Sequence, residues 1–271
     1  MTPTSRARAG ATPAALLRWR RLLTSVAAGL ALTSMVAAPA HASHSWDGYH
    51  WARTANPFTL TLGDNVSGSW DSYLAQTSSD WSVSTVLDTS IGTGRAGPVK
   101  RCGATNRRVE VCNTTYGNTG WLGIAQVWAS GSHITQGVVK LNDTYFNTAS
   151  YNTPAWRNQV MCQEVGHTLG LNHPDEDFDN PNLGTCMDYT RDPSTNQHPN
   201  AHDYEQLATI YGHLDATTTV GTAVAGSAAA DWNDPSAWGR AIRTSSDGRS
   251  SLHGRSLGGD QKVFTFVIWA R

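Results

Sequence analysis

The residues able to do chemistry stand at helical spacing in Gln163-Glu164-Val165-Gly166-His167-Thr168-Leu169-Gly170-Leu171-Asn172-His173. On a helix, side chains three apart share a face, so Glu164 and His167 point the same way. Gly170 suits a sharp turn at a helix end, and His173 follows three residues later. Neutral imidazoles can hold a Lewis-acid metal such as zinc, and a nearby carboxylate can take the proton of its water. In H-E-x-x-H helices the residue before the Glu is a further His. Here it is Gln163, a neutral and weaker donor whose amide oxygen reaches about as far as an imidazole nitrogen. Each residue alone has a plainer meaning. A single His is more often surface or core, Glu164 alone is a solvated carboxylate, and Met187 alone is core filler.

The run E-x-x-H-x-x-G-x-x-H, followed by Gly184-Thr185-Cys186-Met187-Asp188-Tyr189-Thr190, resembles the zinc-binding consensus and Met-turn of the metzincin metallopeptidases. The resemblance covers Gln163 to Tyr189 and ends by about Asp215. It implies an α+β, zincin-like fold: a twisted mixed β-sheet, an active-site helix, a Met-turn and a C-terminal helix. It implies Glu164 as general base, His167 and His173 as ligands of one catalytic zinc, and Met187 as the floor beneath it. Gln163 takes the place of the first ligand. Tyr189 matches a metal-proximal tyrosine of some metzincins, such as the astacins. Tyr189, Asp175, Asp177 and, less favoured, His198 or His202 are further candidates to complete the site. The implied activity is hydrolysis of internal peptide bonds, with the substrate added to an edge strand, for which Val138 to Asn142 is the candidate. Because Gln163 departs from the pattern, a second function stands beside it: a catalytically inactive, secreted, metzincin-like binding protein.

The elements that must position these residues are legible in part. Thr153-Pro154 opens the motif helix, with Thr as cap and Pro at the first position. Val160, Val165 and Leu169 mark its apolar face, and His202 to Tyr211 reads as a closing helix. Upstream, Trp70, Tyr73, Leu74 and Trp81 stand at helical spacing. Strands are expected at Phe58–Leu62, Val83–Leu87, Arg108–Asn113, Trp121–Ala129 and Ile134–Phe146. The metallopeptidase-like domain is expected over residues 43–215. Residues 216–271 then read as a linker and a short β-rich tail ending in the strand Lys262–Ala270.

The rest bounds the setting. Five arginines between Arg6 and Arg21, an apolar run from Leu22 to Ala38 and Ala40-His41-Ala42 fit a signal peptide over residues 1–42. The expected location is extracellular, with no membrane span after cleavage. Net charge is −1 and charged residues are 15%, which offers no nucleic-acid surface. The partner class is a peptide or protein substrate, and the chain reads as a monomer. Cys102, Cys112, Cys162 and Cys186 are an even set in an exported chain, hence disulfides, with three pairings open. Cys102 and Cys112 bracket a short polar loop that suits a local bridge. The acidic run Asp175 to Asn180 offers oxygen ligands for Ca2+, against the plainer reading of a solvated loop.

Overall fold

The computed structural model describes residues 43–222, 224–225 and 231–271, and the expected signal peptide lies outside them. In chain order the elements are β1 (His50–Trp51), β2 (Phe58–Asn65), α1 (Asp71–Trp81), β3 (Leu87–Thr93), β4 (Thr105–Asn106) and β5 (Val109–Thr114). There follow β6 (Trp121–Ser130), β7 (His133–Asn142), α2 (Asp143–Phe146), α3 (Pro154–Thr168) and α4 (Ala201–Ile210). The last are β8 (Val224–Ala225), β9 (Arg240–Thr244), β10 (Ser250–Gly258) and β11 (Gln261–Trp269). The fold is mixed α/β. Its main sheet has the order β3-β2-β5-β7-β6-β11-β10-β9, and β1 joins β7. β3, β2, β5 and β7 are mutually parallel, while β6, β11, β10 and β9 alternate in direction.

Burial explains the strand sequences. β2 alternates, with Phe58, Leu60 and Leu62 inside and Thr59 exposed. β6 is different: every residue but Ser130 is buried, as expected for a strand covered on both faces. One face packs against α3. The other carries Trp128, Val138, Val263 and the Cys102–Cys112 disulfide, with Trp232 against them. Lys140 is also wholly buried; it donates to Asn233 Oδ1 at 2.7 Å, and burial lowers its pKa to about 7.

The strand expected at Ile134–Phe146 ends at Asn142, whose side chain accepts from Thr144 N and opens α2, and three further expectations are corrected. The strand read at Val83–Leu87 lies at Leu87–Thr93. It is a sheet edge held to α1 by hydroxyls rather than by apolar burial: Ser82 Oγ accepts from Thr89 N at 2.8 Å, and Thr89 Oγ1 donates to Ser78 O at 2.8 Å. The candidate substrate edge, Val138 to Asn142, belongs to β7, which is flanked by β5 and β6 and is no edge. Finally, residues 216–271 are more than a linker with a tail. β9, β10 and β11 extend the main sheet, and β11 pairs with β6 from Gln261↔Ser130 to Trp269↔Trp121. Among the described residues no helix is long and apolar enough to cross a membrane. The two disulfides, Cys102–Cys112 and Cys162–Cys186, are of the kind that persists in oxidising compartments.

Helix α3 starts as its sequence dictates. The Thr153 side chain accepts from Trp156 N at 3.2 Å, and Pro154 is the first helical residue. Its end is fixed by indoles. The last carbonyls of a helix lack partners within it, and here Trp46 Nε1 donates to His167 O (3.2 Å) and Trp51 Nε1 to Thr168 O (2.8 Å). Trp81 Nε1 adds a bond to Cys162 O at 3.2 Å. At α4 Asn200 and Asp203 form a reciprocal capping box, so Asp203 serves the helix start.

Candidate functional site

Gln163, Glu164 and His167 lie on one stretch of α3 and are at most 1% exposed. Gly123 on β6 makes room for them, since a Cβ there would meet Val160 Cγ1 at 2.5 Å and Glu164 Oε1 at 3.1 Å. After α3, Gly170 takes φ +97, the left-handed region that glycine enters without strain. A Cβ there would also meet the Tyr49 carbonyl at 2.5 Å. The chain therefore turns back, and His173 arrives with its ring centroid 4.5 Å from that of His167.

Both imidazoles are held the same way. His167 Nδ1 donates to Leu171 O at 2.9 Å and His173 Nδ1 donates to Met187 O at 2.8 Å. A proton fixed on Nδ1 leaves the lone pair on Nε2, the form that ligates metals. Burial pushes His167 down to about 3, and burial together with His167 holds His173 well below the usual imidazole range. Both rings are neutral at physiological pH. Burial likewise pushes the Glu164 carboxyl well above the usual carboxylate range, opposed by the Ala125 backbone N–H. Glu164 Oε1 and Oε2 and Gln163 Oε1 are buried and make no well-formed hydrogen bond. Orphaned buried oxygens are costly, and a cation is one thing that would satisfy them. Gln163 Nε2 stands 3.2 Å from His173 Nδ1, a ring nitrogen already committed to Met187 O, so the amide oxygen is its uncommitted atom.

The turn after α3 packs against the helix. Cys162–Cys186 ties it to the helix. Met187 N donates to Thr185 Oγ1 at 3.0 Å, and that hydroxyl donates in turn to Asp203. The Met187 thioether packs on Gly166, where a Cβ would collide with Met187 Sδ and meet Trp81 Cζ2 at 2.8 Å. Gly166→Ala gains up to about 1 kcal/mol in helix propensity, but overpacking costs about 1–3 kcal/mol. We expect a net loss of stability, read as a lower denaturant midpoint in urea unfolding; an unchanged or higher midpoint would mean the Met187 packing is slack. Tyr189 stacks on His173 at 3.7 Å between centroids, and Phe178 stacks on Tyr189 at 4.5 Å.

The site is closed from the other side by the chain itself. Phe266 of β11 stacks on His167 at 4.1 Å with an interplanar angle of 11°. The cavity beside His173, lined by Asn172, Glu176, Tyr189, Arg243 and Phe266 among others, has a volume of about 10 Å³, room for at most one water. A larger cavity of about 600 Å³, bordered by Trp128, Gln136 and Lys262, has no His, Cys or carboxylate in its lining.

The acidic run expected to suit Ca2+ does not gather into a ligand set. Asp175 Oδ1 and Asp177 Oδ1 accept from the backbone N–H groups of Asp177 and Asp179, Asp179 pairs with Arg191, and Glu176 pairs with Arg243. His198 pairs with Asp80 and His202 stacks on His44, away from a ligand role. Among the described residues, ligand atoms of His50, His133 and Asp215 lie within 4.8 Å of one another. That group could hold a metal ion. The sequence does not reveal it, because its members come from three separate segments with no shared spacing; the nearest signal is the pair His213-x-Asp215. No protein-family model matches the chain, and no curated protein matches it either.

Proposed function

We propose that the protein is a secreted, zinc-dependent endopeptidase of zincin-like fold, held latent by its own β11. The observation that carries this is the convergence of His167 and His173, each with Nδ1 fixed on a carbonyl, beside a Glu164 whose oxygens make no well-formed hydrogen bond. His167 Nε2, His173 Nε2 and Gln163 Oε1 are the donors that would hold zinc, whose chemistry is to polarise the scissile carbonyl and acidify water. Glu164 takes the proton of the attacking water and hands it to the leaving amine. Its ionisation is coupled to loading of the site, because a buried carboxylate is tenable only beside a positive charge. Met187 and Tyr189 hold the His173 ring in place. The disulfides and the apolar N-terminal run support export.

A peptide substrate would add as a strand to the open edge of the sheet. With β7 interior and β3 and β9 outermost, the edge beside α3 would be the outer side of β6, open only when β11 is displaced. β11 lies along that edge over its full length, in the position a substrate strand would take. The test is cleavage of an unstructured protein such as casein by zinc-loaded protein, with chelator as control. Zinc-dependent cleavage supports the proposal. The second reading, a silent binding protein, is favoured by the closed cavity of about 10 Å³, and inertness even after β11 is loosened would favour it.

A further inference from the structure

Three histidines face one carboxylate oxygen in a second place. Asp215 Oδ1 is 3.2 Å from His133 Nε2, 3.5 Å from His50 Nε2 and 3.7 Å from His213 Nε2, and the last two nitrogens are 3.2 Å apart. The other oxygen is taken: Asp215 Oδ2 accepts from Arg53 Nη1 at 2.8 Å and from Arg53 N at 3.2 Å. Arg53 also donates to the His213 carbonyl. Arg53 is about 1% exposed, so it is a fixed clamp that aims Oδ1 at the imidazoles. His50 Nδ1 donates to Gly48 O at 2.7 Å. In the neutral ring this puts the lone pair on Nε2, facing a carboxylate oxygen and another imidazole nitrogen. Acceptors turned on one another repel unless a proton or a cation sits between them.

Their spacing decides what that cation is. Zinc–nitrogen and zinc–oxygen bonds of about 2.0–2.2 Å at tetrahedral angles place ligand atoms roughly 3.3–3.6 Å apart, and the distances above, four of the six separations in such a shell, scatter around that value. We propose that His50, His133, His213 and Asp215 bind a structural zinc ion, distinct from the site on α3. Four protein ligands close the coordination shell, which marks a structural rather than a catalytic centre. The ligands come from β1, from the first residue of β7, and from the segment after α4. β1 pairs with β7 through only two residues, His50↔His133 and Trp51↔Ile134, so an ion there would staple the N-terminal segment and the post-α4 segment to the sheet. The Arg53 clamp is the orienting partner that such sites need. His133 and His213 side chains are 35% and 53% exposed, which gives the ion a way in.

The test is the metal content of zinc-loaded, gel-filtered mature protein by mass spectrometry, comparing wild type with His213→Ala and His133→Ala. Both side chains are partly exposed, so folding is preserved. Each variant should hold one zinc fewer per chain than wild type, or bind that zinc at least about 100-fold more weakly. Chelator should lower the wild-type Tm by more than it lowers that of either variant. The quantity read is the difference from wild type, so the result stands whether or not α3 holds an ion. Failure of the α3 site would appear instead as a zinc count insensitive to His173→Ala. Equal zinc content and an equal chelator effect in wild type and both variants would overturn the proposal and assign the cluster to imidazolium hydrogen bonds on Asp215.

Discussion

Glu164→Gln should abolish peptide hydrolysis, lowering the rate by two to four orders of magnitude, the usual share of a general base, while stabilising the metal-free protein. The two effects have one cause. Glu164 is fully buried, and neither carboxylate oxygen has a well-formed partner. Burial raises its folded pKa well above the ordinary value of 4.5. A group raised in the folded state contributes stability below its unfolded pKa and loses it as pH climbs through the folded value. Glutamine does not titrate. In metal-free protein the Tm advantage of the variant should therefore grow as pH rises from about 4.5. Casein cleavage that is measurable in the wild type and equal in the variant would end the role of Glu164 as base. A variant whose advantage shrinks with pH would contradict the buried, uncharged carboxyl.

Phe266→Ala should release the site. The ring is about 3% exposed and stacks on His167. Truncating a buried Phe costs about 3–5 kcal/mol, and about 1.4 kcal/mol is a factor of ten in an equilibrium. If β11 lifts as a local unit, a loss of about 3 kcal/mol raises the open population roughly 100-fold. Casein cleavage should rise by a similar factor while the open form remains rare. Hydrogen exchange measures the lifting directly: amides of β11 should lose protection ahead of those of β2 and β5. Faster β11 exchange without any gain in cleavage would mean that β6 is not where the substrate lies.

The parts of the fold written in local chemistry were legible. Thr153-Pro154 and Gly170 bound α3, and alternation in Phe58–Leu62 and the apolar run Trp121–Ala129 gave β2 and β6. β9 was illegible because Arg240 to Thr244 are all exposed, which leaves no burial pattern to read. Ser250 to Gly258 in β10 is polar and glycine-containing, and its order comes from pairing with β11. β3 was misplaced because Ser and Thr hydroxyls, not apolar side chains, anchor it. In the motif, the helix, the turn and the return of His173 were legible, and the Phe266 cover was not, since strand pairing across more than a hundred residues leaves no mark in either partner. The same holds for His50, His133 and Asp215.

Trp46, Trp51 and Trp81 each donate an indole N–H to a carbonyl of α3, and this gives the protein an optical reporter of its own. Indole emission responds to hydrogen bonding and solvent near the ring. Three chromophores wired to the backbone of one helix will register a strained, loosened or reseated α3 as a change in emission or near-ultraviolet ellipticity. Loading of the α3 site, lifting of β11 and fraying of the helix end can thus be followed on the unlabelled protein, in real time and at low concentration.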